Sequence, residues 1–204
     1  MEQVKRKEDI TSIFKSLNRR ISNKELFSEI LKNHNVSDLN ITGLELPPGL
    51  SLHRVDGRRG YGNQSFEIVL LDRVGERILY YLFVTPSYQV IFEGKNVMQA
   101  FSWRSLWLAN DELISHVCNR IFDEYLLHRF RIAVLAINAE LEGMSFWTKR
   151  ILSSLSNGHP VYAYDLNTSE CYSIQDELSV LQEWSLWLWQ DKKKAINRVA
   201  LLGE

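Results

Sequence analysis

Arg131-Ile132-Ala133-Val134-Leu135-Ala136-Ile137 is the stretch of sequence that decides the fold. Six apolar residues follow the arginine without a polar interruption, which is typical of a strand buried on both faces of a sheet. We expect Ile132, Val134 and Ile137 to lie in the core. Helical periodicity flanks this run on both sides, so a crossover connection and a parallel neighbouring strand are predicted.

Upstream of this strand, the apolar residues follow a period of two, which indicates an antiparallel meander. The predicted strands are Ser65–Leu71, Arg77–Val84 and Tyr88–Phe92, with a short strand around 50–55 before them. A turn at Asp72–Glu76 separates the first two, and a break at Pro86-Ser87 separates the last two. The segment Glu93–Ala109 is expected to link the meander to a helix that begins at Asn110.

The remaining periodicity is helical except for one hairpin. A capping box at Ser22-Asn23-Lys24-Glu25 predicts the start of the second N-terminal helix. A helix from Gly143 to Asn157, a hairpin over 161–174 and further helices complete the chain. The prediction is a single α+β domain, residues 1–204, with a central mixed sheet and helices on both faces. Its parts are an N-terminal helical pair (6–36), a sheet–helix core (64–174) and C-terminal helices packed on that core (175–204).

Composition excludes several classes of protein. The 204 residues include 24 Lys and Arg and 25 Asp and Glu, a net charge of −1. This balance argues against a surface tuned as a whole to nucleic acid or to an anionic membrane. The longest uncharged stretch, residues 78–92, is shorter than the ~20 residues that a membrane helix needs. No apolar region follows the basic N-terminal residues, so we expect no secretory leader. We therefore expect a cytoplasmic protein that does not enter the membrane.

The order of elements resembles that of the Gcn5-related N-acetyltransferase (GNAT) superfamily over residues 6–174. Three stretches carry the likeness, a strand, an aromatic-bearing helix and a closing hairpin: Arg131–Ile137, Gly143-Met144-Ser145-Phe146-Trp147 and Gly158–Asp165. They are similar to degenerate members of that superfamily carried by phages and other mobile elements.

The family's coenzyme A signature is missing from this sequence. The resemblance places it at 92–98, where Gly94 stands alone instead of a glycine pair. The next helix opens with Asn110-Asp111-Glu112, whose carboxylates would repel a pyrophosphate at the helix N-terminus. The resemblance therefore implies a non-catalytic binding or regulatory protein without a cofactor. An acyltransferase with an unconventional acyl-CoA site is the alternative.

Two groups of residues are candidates for binding. Arg54, Arg58, Arg59 and Tyr61 lie in or beside a glycine-rich loop, a combination suited to phosphate or nucleic acid. The second group is made of tryptophans that cannot all pack against one sheet: Trp103, Trp107, Trp187 and Trp189. Exposed indoles are typical of the residues that dominate protein–protein interfaces.

These candidates favour a protein partner, and nucleic acid is the alternative partner. Asp72 and the triplet Glu93-Gly94-Lys95 also mimic the ligands of Mg²⁺-dependent nucleases, in which carboxylates bind the metal and a lysine positions water. Nuclease activity is accordingly a further alternative. No catalytic residue and no resident metal are predicted.

Overall fold

A computed structural model describes residues 2–61, 64–93, 95–105 and 111–203. It is an α+β structure in which one nine-stranded mixed sheet has helices around it. The strands are β1 (Val36–Asp38), β2 (Leu50–Asp56), β3 (Phe66–Asp72), β4 (Arg77–Phe92), β5 (Lys95–Arg104), β6 (Ile132–Val134), β7 (Val161–Asp165), β8 (Cys171–Ser173) and β9 (Arg198–Leu202). Their order in the sheet is β1-β2-β3-β4-β5-β6-β9-β7-β8.

The helices are mostly short. They are α1 (Glu2–Leu17), α2 (Arg20–Leu31), α3 (Asp111–Arg120), α4 (Ala136–Glu142), α5 (Met144–Ser156), α6 (Glu177–Ser179), α7 (Ser185–Trp189) and α8 (Lys192–Ala195), with π-helical turns at Ile121–Leu126 and Val180–Trp184. Among the described residues, no helix combines the length and the apolar character needed to cross a bilayer.

The contacts divide the chain into two compact units. Unit 1 comprises Met1–Thr85 and Phe101–Ile121, and unit 2 comprises Pro86–Ala100 and Phe122–Glu204. The predicted helical pair near the N-terminus is confirmed, although α2 begins at Arg20, and its N-cap Arg19 makes no side-chain capping bond. The predicted capping box at Ser22 is therefore wrong. The assignment of residues 1–204 to a single domain stays a prediction.

Unit 1 is built on the antiparallel strands β1 to β4. Leu52 lies opposite Leu70, and Leu70 lies opposite Tyr80. All seven residues of β3 are buried, so this strand carries the core of the unit. The pairing of β2 with β3 confirms the short strand expected around 50–55.

The predicted break at Pro86-Ser87 is wrong, because β4 runs without interruption from Arg77 to Phe92. Thr85 and Ser87 are both buried. Proline removes one ladder hydrogen bond, but its φ is compatible with an extended strand. Packing on both sides of Pro86 therefore keeps the strand continuous.

The predicted link Glu93–Ala109 is also wrong over most of its described length, because β5 occupies Lys95–Arg104. Val97, Gln99, Phe101 and Trp103 alternate along it and are buried. Met98 and Ala100 between them are buried as well, so the strand is covered on both faces and the polar Gln99 interrupts its apolar run in the sequence. The Gln99 amide is satisfied in the core because it donates to Asn138 Oδ1 at 2.9 Å.

Unit 2 is centred on β6, which runs parallel to β5 and antiparallel to β9. The parallel neighbour expected for this strand is thus confirmed. Ile132 and Val134 are fully buried as predicted. Ile137, in contrast, lies in α4 and is only partly buried. Asn138 causes the early end of the strand, because its Oδ1 accepts from the Leu135 backbone N–H at 3.0 Å and caps α4.

The C-terminal segment contains a strand that the helical prediction for 175–204 missed. Strand β9 lies between β6 and β7, and its last four residues, Val199 to Leu202, are fully buried. A short apolar run is compatible with either a buried helix or a buried strand, and here the unpaired edges of β6 and β7 select the strand. The hairpin β7–β8 is confirmed, with Tyr164 opposite Cys171.

Candidate functional site

The arginine-rich loop of unit 1 is organised around the buried carboxylate of Glu67 on β3. Glu67 Oε2 accepts from Arg58 Nε at 2.8 Å. Glu67 Oε1 accepts from Arg58 Nη2, from Arg59 Nε at 3.2 Å and from the Tyr81 hydroxyl at 2.5 Å. Gly57 and Gly60, with φ of 66° and 69°, give the loop the left-handed conformations that turn both guanidinium groups inward. A buried anion thus holds the loop.

Burial and charge shift the pKa values of the groups around Glu67. Burial alone would lower the pKa of Arg58, but the hydrogen bond and the charge of Glu67 raise it further above its usual range. The pKa of Tyr81 is raised, mainly by complete burial and then by the neighbouring carboxylate. Arg58 therefore stays charged and Tyr81 stays neutral, so that both side chains remain hydrogen-bond donors to Glu67.

The other loop candidates are also engaged within the unit. Arg54 donates to Asp56 Oδ1 at 2.7 Å and stacks 4.0 Å from the centroid of the Phe66 ring. The Tyr61 hydroxyl donates to Asp9, and its ring packs against Phe83. Phosphate binding by this loop stays a prediction, and any phosphate would compete with these internal carboxylates.

Two of the tryptophans expected at a surface are buried. Trp103 donates its Nε1–H to Asn18 Oδ1 at 3.0 Å inside unit 1. Trp189, in unit 2, is only 7% exposed, and so the expectation of an outward-facing indole is wrong for it. Both follow the tendency of large aromatic side chains to fill cores. Trp107 lies outside the described residues.

The remaining tryptophan candidate, Trp187, belongs to a cluster of rings that is open to solvent. Its ring lies 5.7 Å from that of Trp184, which in turn lies 5.8 Å from that of Tyr172 on β8. The Arg198 guanidinium covers Trp187 at 4.4 Å from the ring centroid, and Tyr172 is 42% exposed. We call Tyr172, Trp184 and Trp187 the aromatic surface.

Exposed leucines continue the aromatic surface along the same helical segment. Leu178 and Leu181, which precede Trp184 by six and three residues, are 60% and 58% exposed. The segment is π-helical at Val180–Trp184, a wide turn that is frequent at functional sites. The result is a concentration of apolar side chains that the described part of the chain leaves uncovered.

The segment that carries the aromatic surface is acidic, and basic residues follow it directly at Lys192–Lys194 and at Arg198, which covers Trp187. Residues 160–191 contain no lysine, arginine or histidine but six carboxylates: Asp165, Glu170, Asp176, Glu177, Glu183 and Asp191. Glu170 accepts a hydrogen bond from the Tyr172 hydroxyl, and this contact, followed by burial, raises the pKa of Tyr172. This acidic run is the sequence signal that accompanies the surface, and the prediction based on single tryptophans did not include it.

The residues of the nuclease alternative have structural partners. Asp72 Oδ1 accepts from the backbone N–H groups of Val74 and Gly75 at 3.1 and 2.8 Å, which closes the turn between β3 and β4. Glu93 Oε2 lies 3.1 Å from Arg131 Nη1. Within the described ranges, no three His, Cys, Asp or Glu side chains converge to hold a metal ion.

Comparison of this chain with protein-family models, with curated proteins and with solved structures found no match. The site is therefore interpreted from its own geometry. That geometry separates a loop whose arginines have carboxylate partners from an apolar surface in an acidic segment, with Arg198 over one of its rings.

Proposed function

We propose that this protein is a binding or regulatory protein that captures a basic segment of a partner protein on the aromatic surface. The observation that carries the proposal is the exposure of Tyr172, Leu178 and Leu181 beside two tryptophans, in a stretch of 32 residues (160–191) without a basic side chain. Aromatic anchors supply most of the affinity at protein interfaces. The carboxylates around them select the charge of the partner.

The charge distribution distinguishes a basic protein segment from nucleic acid. Nucleic acids bind through phosphate contacts with lysine and arginine. The acidic stretch 160–191 repels phosphate, and the arginines of the loop around Glu67 already have carboxylate partners. A segment with Lys or Arg and aliphatic residues fits both features of the aromatic surface.

The acetyltransferase-like fold remains part of the proposal. It is supported by the order of elements along the chain, where β5, a helical crossover and the parallel strand β6 are followed by α4, α5 and the hairpin β7–β8. Without the family's glycine pair at 92–98, we propose that the fold serves as a scaffold and not as an acyl-CoA enzyme. Calorimetric titration with acetyl-CoA tests this point, and micromolar binding would contradict it.

Photo-crosslinking in the cells that produce the protein tests the binding surface. Benzoylphenylalanine replaces Leu181 in one variant and Ile21, an even more exposed apolar residue of α2, in the control. We expect the variant at position 181 to crosslink a lysine- or arginine-rich segment, and the product to disappear when Trp184→Ala is added. Equal products from positions 181 and 21, or crosslinks to segments without basic residues, would overturn the proposal.

A further inference from the structure

A cluster of four polar side chains in unit 1 has the geometry of a nucleophilic site. Ser51 and His53 are two residues apart on β2 and share one face of the sheet. Asp38 lies opposite His53 on the neighbouring strand β1. The Ser51 Oγ lies 2.8 Å from His53 Nε2, and His53 Nδ1 lies 3.0 Å from Asp38 Oδ1. Serine, imidazole and carboxylate thus follow one another in the order of a hydrolase triad.

Arg73 completes the cluster and fixes the direction of its hydrogen bonds. Its Nε donates to Ser51 Oγ at 3.0 Å, and its Nη2 lies 3.2 Å from His53 Nε2. A guanidinium can only donate, so Nε2 is the unprotonated nitrogen and Nδ1 carries the proton toward Asp38. The Ser51 hydroxyl is therefore oriented to give its proton to Nε2.

The environment keeps the imidazole neutral and able to act as a base. The His53 side chain is only 4% exposed. Burial and then the charge of Arg73 lower its pKa, against the smaller opposing effect of Asp38. The Nδ1–H is within reach of Asp38 but is not aligned with it as a hydrogen bond. Such contacts are often loose before substrate binds and tighten in the complex.

A cavity of about 410 Å³ adjoins the cluster. Its apolar wall is formed by Leu39, Ile41, Leu44, Leu46 and Leu50, while Ser51, His53 and Arg73 line its polar side. This volume lies near the lower end of the range of small-molecule sites, about 300–1,000 Å³. The cavity fits a small apolar acyl group whose carbonyl carbon would face Ser51.

We propose that Ser51 is the nucleophile of an esterase site that hydrolyses small carboxylic esters with an apolar acyl group. Ser51 Oγ bonds to the acyl carbon while its proton passes to the lone pair of His53 Nε2. Arg73 Nη2, which shares that lone pair before substrate binds, turns to the carbonyl oxygen and stabilises its negative charge. The bond from the acyl carbon to the alcohol oxygen then breaks, and the alcohol leaves with the proton from Nε2. A water molecule then gives a proton to Nε2 and its oxygen bonds to the acyl carbon, the bond from that carbon to Ser51 Oγ breaks, and Oγ takes the proton back from Nε2 as the acid leaves.

A purely structural cluster would have the same distances but no reactivity, so the test is chemical. The intact protein is treated with a fluorophosphonate, and the modified residue is located by mass spectrometry. We expect one adduct, on Ser51, which is absent from Ser51→Ala. The matched control is Ser37→Ala, because Ser37 is exposed on β1, adjacent to Asp38 and on the opposite face. Its labelling and its hydrolysis of p-nitrophenyl butyrate should equal those of the wild type.

The role of the imidazole is tested by His53→Gln, with circular dichroism as the check on folding. We expect labelling of Ser51 to slow by about 100-fold or more, as loss of a general base predicts. Labelling in the wild-type protein needs no variant and decides the proposal even if a substitution prevents folding. Failure to label Ser51, labelling spread over exposed serines, or equal ester hydrolysis by the wild type and Ser51→Ala would overturn it.

Discussion

The loop around Glu67 and the aromatic surface differ in whether their charged groups and aromatic rings are buried and paired. In the loop, Arg58 and Arg59 converge on one buried carboxylate, and the Tyr81 hydroxyl donates to the same group. At the aromatic surface, Tyr172 and the leucines are exposed and the two tryptophans are half-buried. Residues 160–191 contain carboxylates but no basic residue. A sequence that pairs arginine with glycine therefore marks internal structure here. The exposed apolar residues and the acidic segment mark the better candidate for binding.

The difference predicts that substitutions in the loop alter stability and those at the aromatic surface alter binding. The largest loss is expected for Glu67→Gln, since it leaves Arg58 without the charge of its buried partner. Breaking a buried ion pair costs about 3–5 kcal/mol of unfolding free energy. Urea denaturation measures this loss of unfolding free energy. Glu29→Gln, which removes the exposed partner of the same guanidinium, should cost less than about 1 kcal/mol. Equal losses for the two variants would contradict the internal role of Glu67.

Trp189→Ala tests the buried indole of α7, in contrast to the half-buried indoles of Trp184 and Trp187. Truncation of a buried tryptophan lowers the free energy of unfolding by about 3–5 kcal/mol. Leu186→Ala, in the same helix but with an exposed side chain, should change it by about 0.5 kcal/mol or less. Thermal and urea unfolding provide the measurement. A small loss for Trp189→Ala would mean that this indole faces solvent after all.

Trp184→Ala should lower stability less, because Trp184 is only half-buried. Loss of its contacts with the rings of Tyr172 and Trp187 costs about 1–3 kcal/mol, at about 0.5–1.5 kcal/mol for each aromatic pair. Its effect on capture of a basic segment should be at least about tenfold, the loss typical of a central interface residue. Fluorescence anisotropy with a labelled peptide measures the affinity. Unchanged affinity would remove Trp184 from the interface.

The smallest expected effect is the contribution of His53 to the pH dependence of the free energy of unfolding. Its pKa is lowered in the folded chain from the usual 6.5, so the unfolded chain binds the proton more readily. The contribution of His53 to stability is therefore complete above pH 6.5 and is lost as the pH falls through that value toward the folded pKa. Urea denaturation at several pH values should show a shallower pH dependence for His53→Gln. An identical dependence in both proteins would contradict a buried, neutral imidazole.

The periodicity of apolar residues was sufficient to predict some of the strands. The seven residues of β3 and the hairpin β7–β8 follow it directly, and Ile132 and Val134 are buried as expected. It failed where long-range pairing decides the structure. Gln99 is buried in β5 because Asn138 accepts from it, and β9 is a strand because β6 and β7 lie on either side of it.

The candidate site was only partly predictable for the same reason. Trp187 was identified, but Tyr172 joins it through a hairpin that brings distant residues together. Asp38 and His53 are 15 positions apart in the sequence and become neighbours only through the register of β1 with β2. The spacing of Ser51 and His53 on one strand was the only local signal of that cluster.

Binding of two model peptides tests the central claim most directly. An amphipathic peptide of leucine and lysine is titrated against the wild-type protein, beside a matched peptide of leucine and glutamate. The account predicts that the lysine peptide binds at least about tenfold more tightly, a difference of roughly 1.4 kcal/mol. Its affinity should fall with added salt and in Trp184→Ala but not in Ile21→Ala. Equal affinity for the two peptides, or an affinity that Trp184→Ala leaves unchanged, would contradict the account.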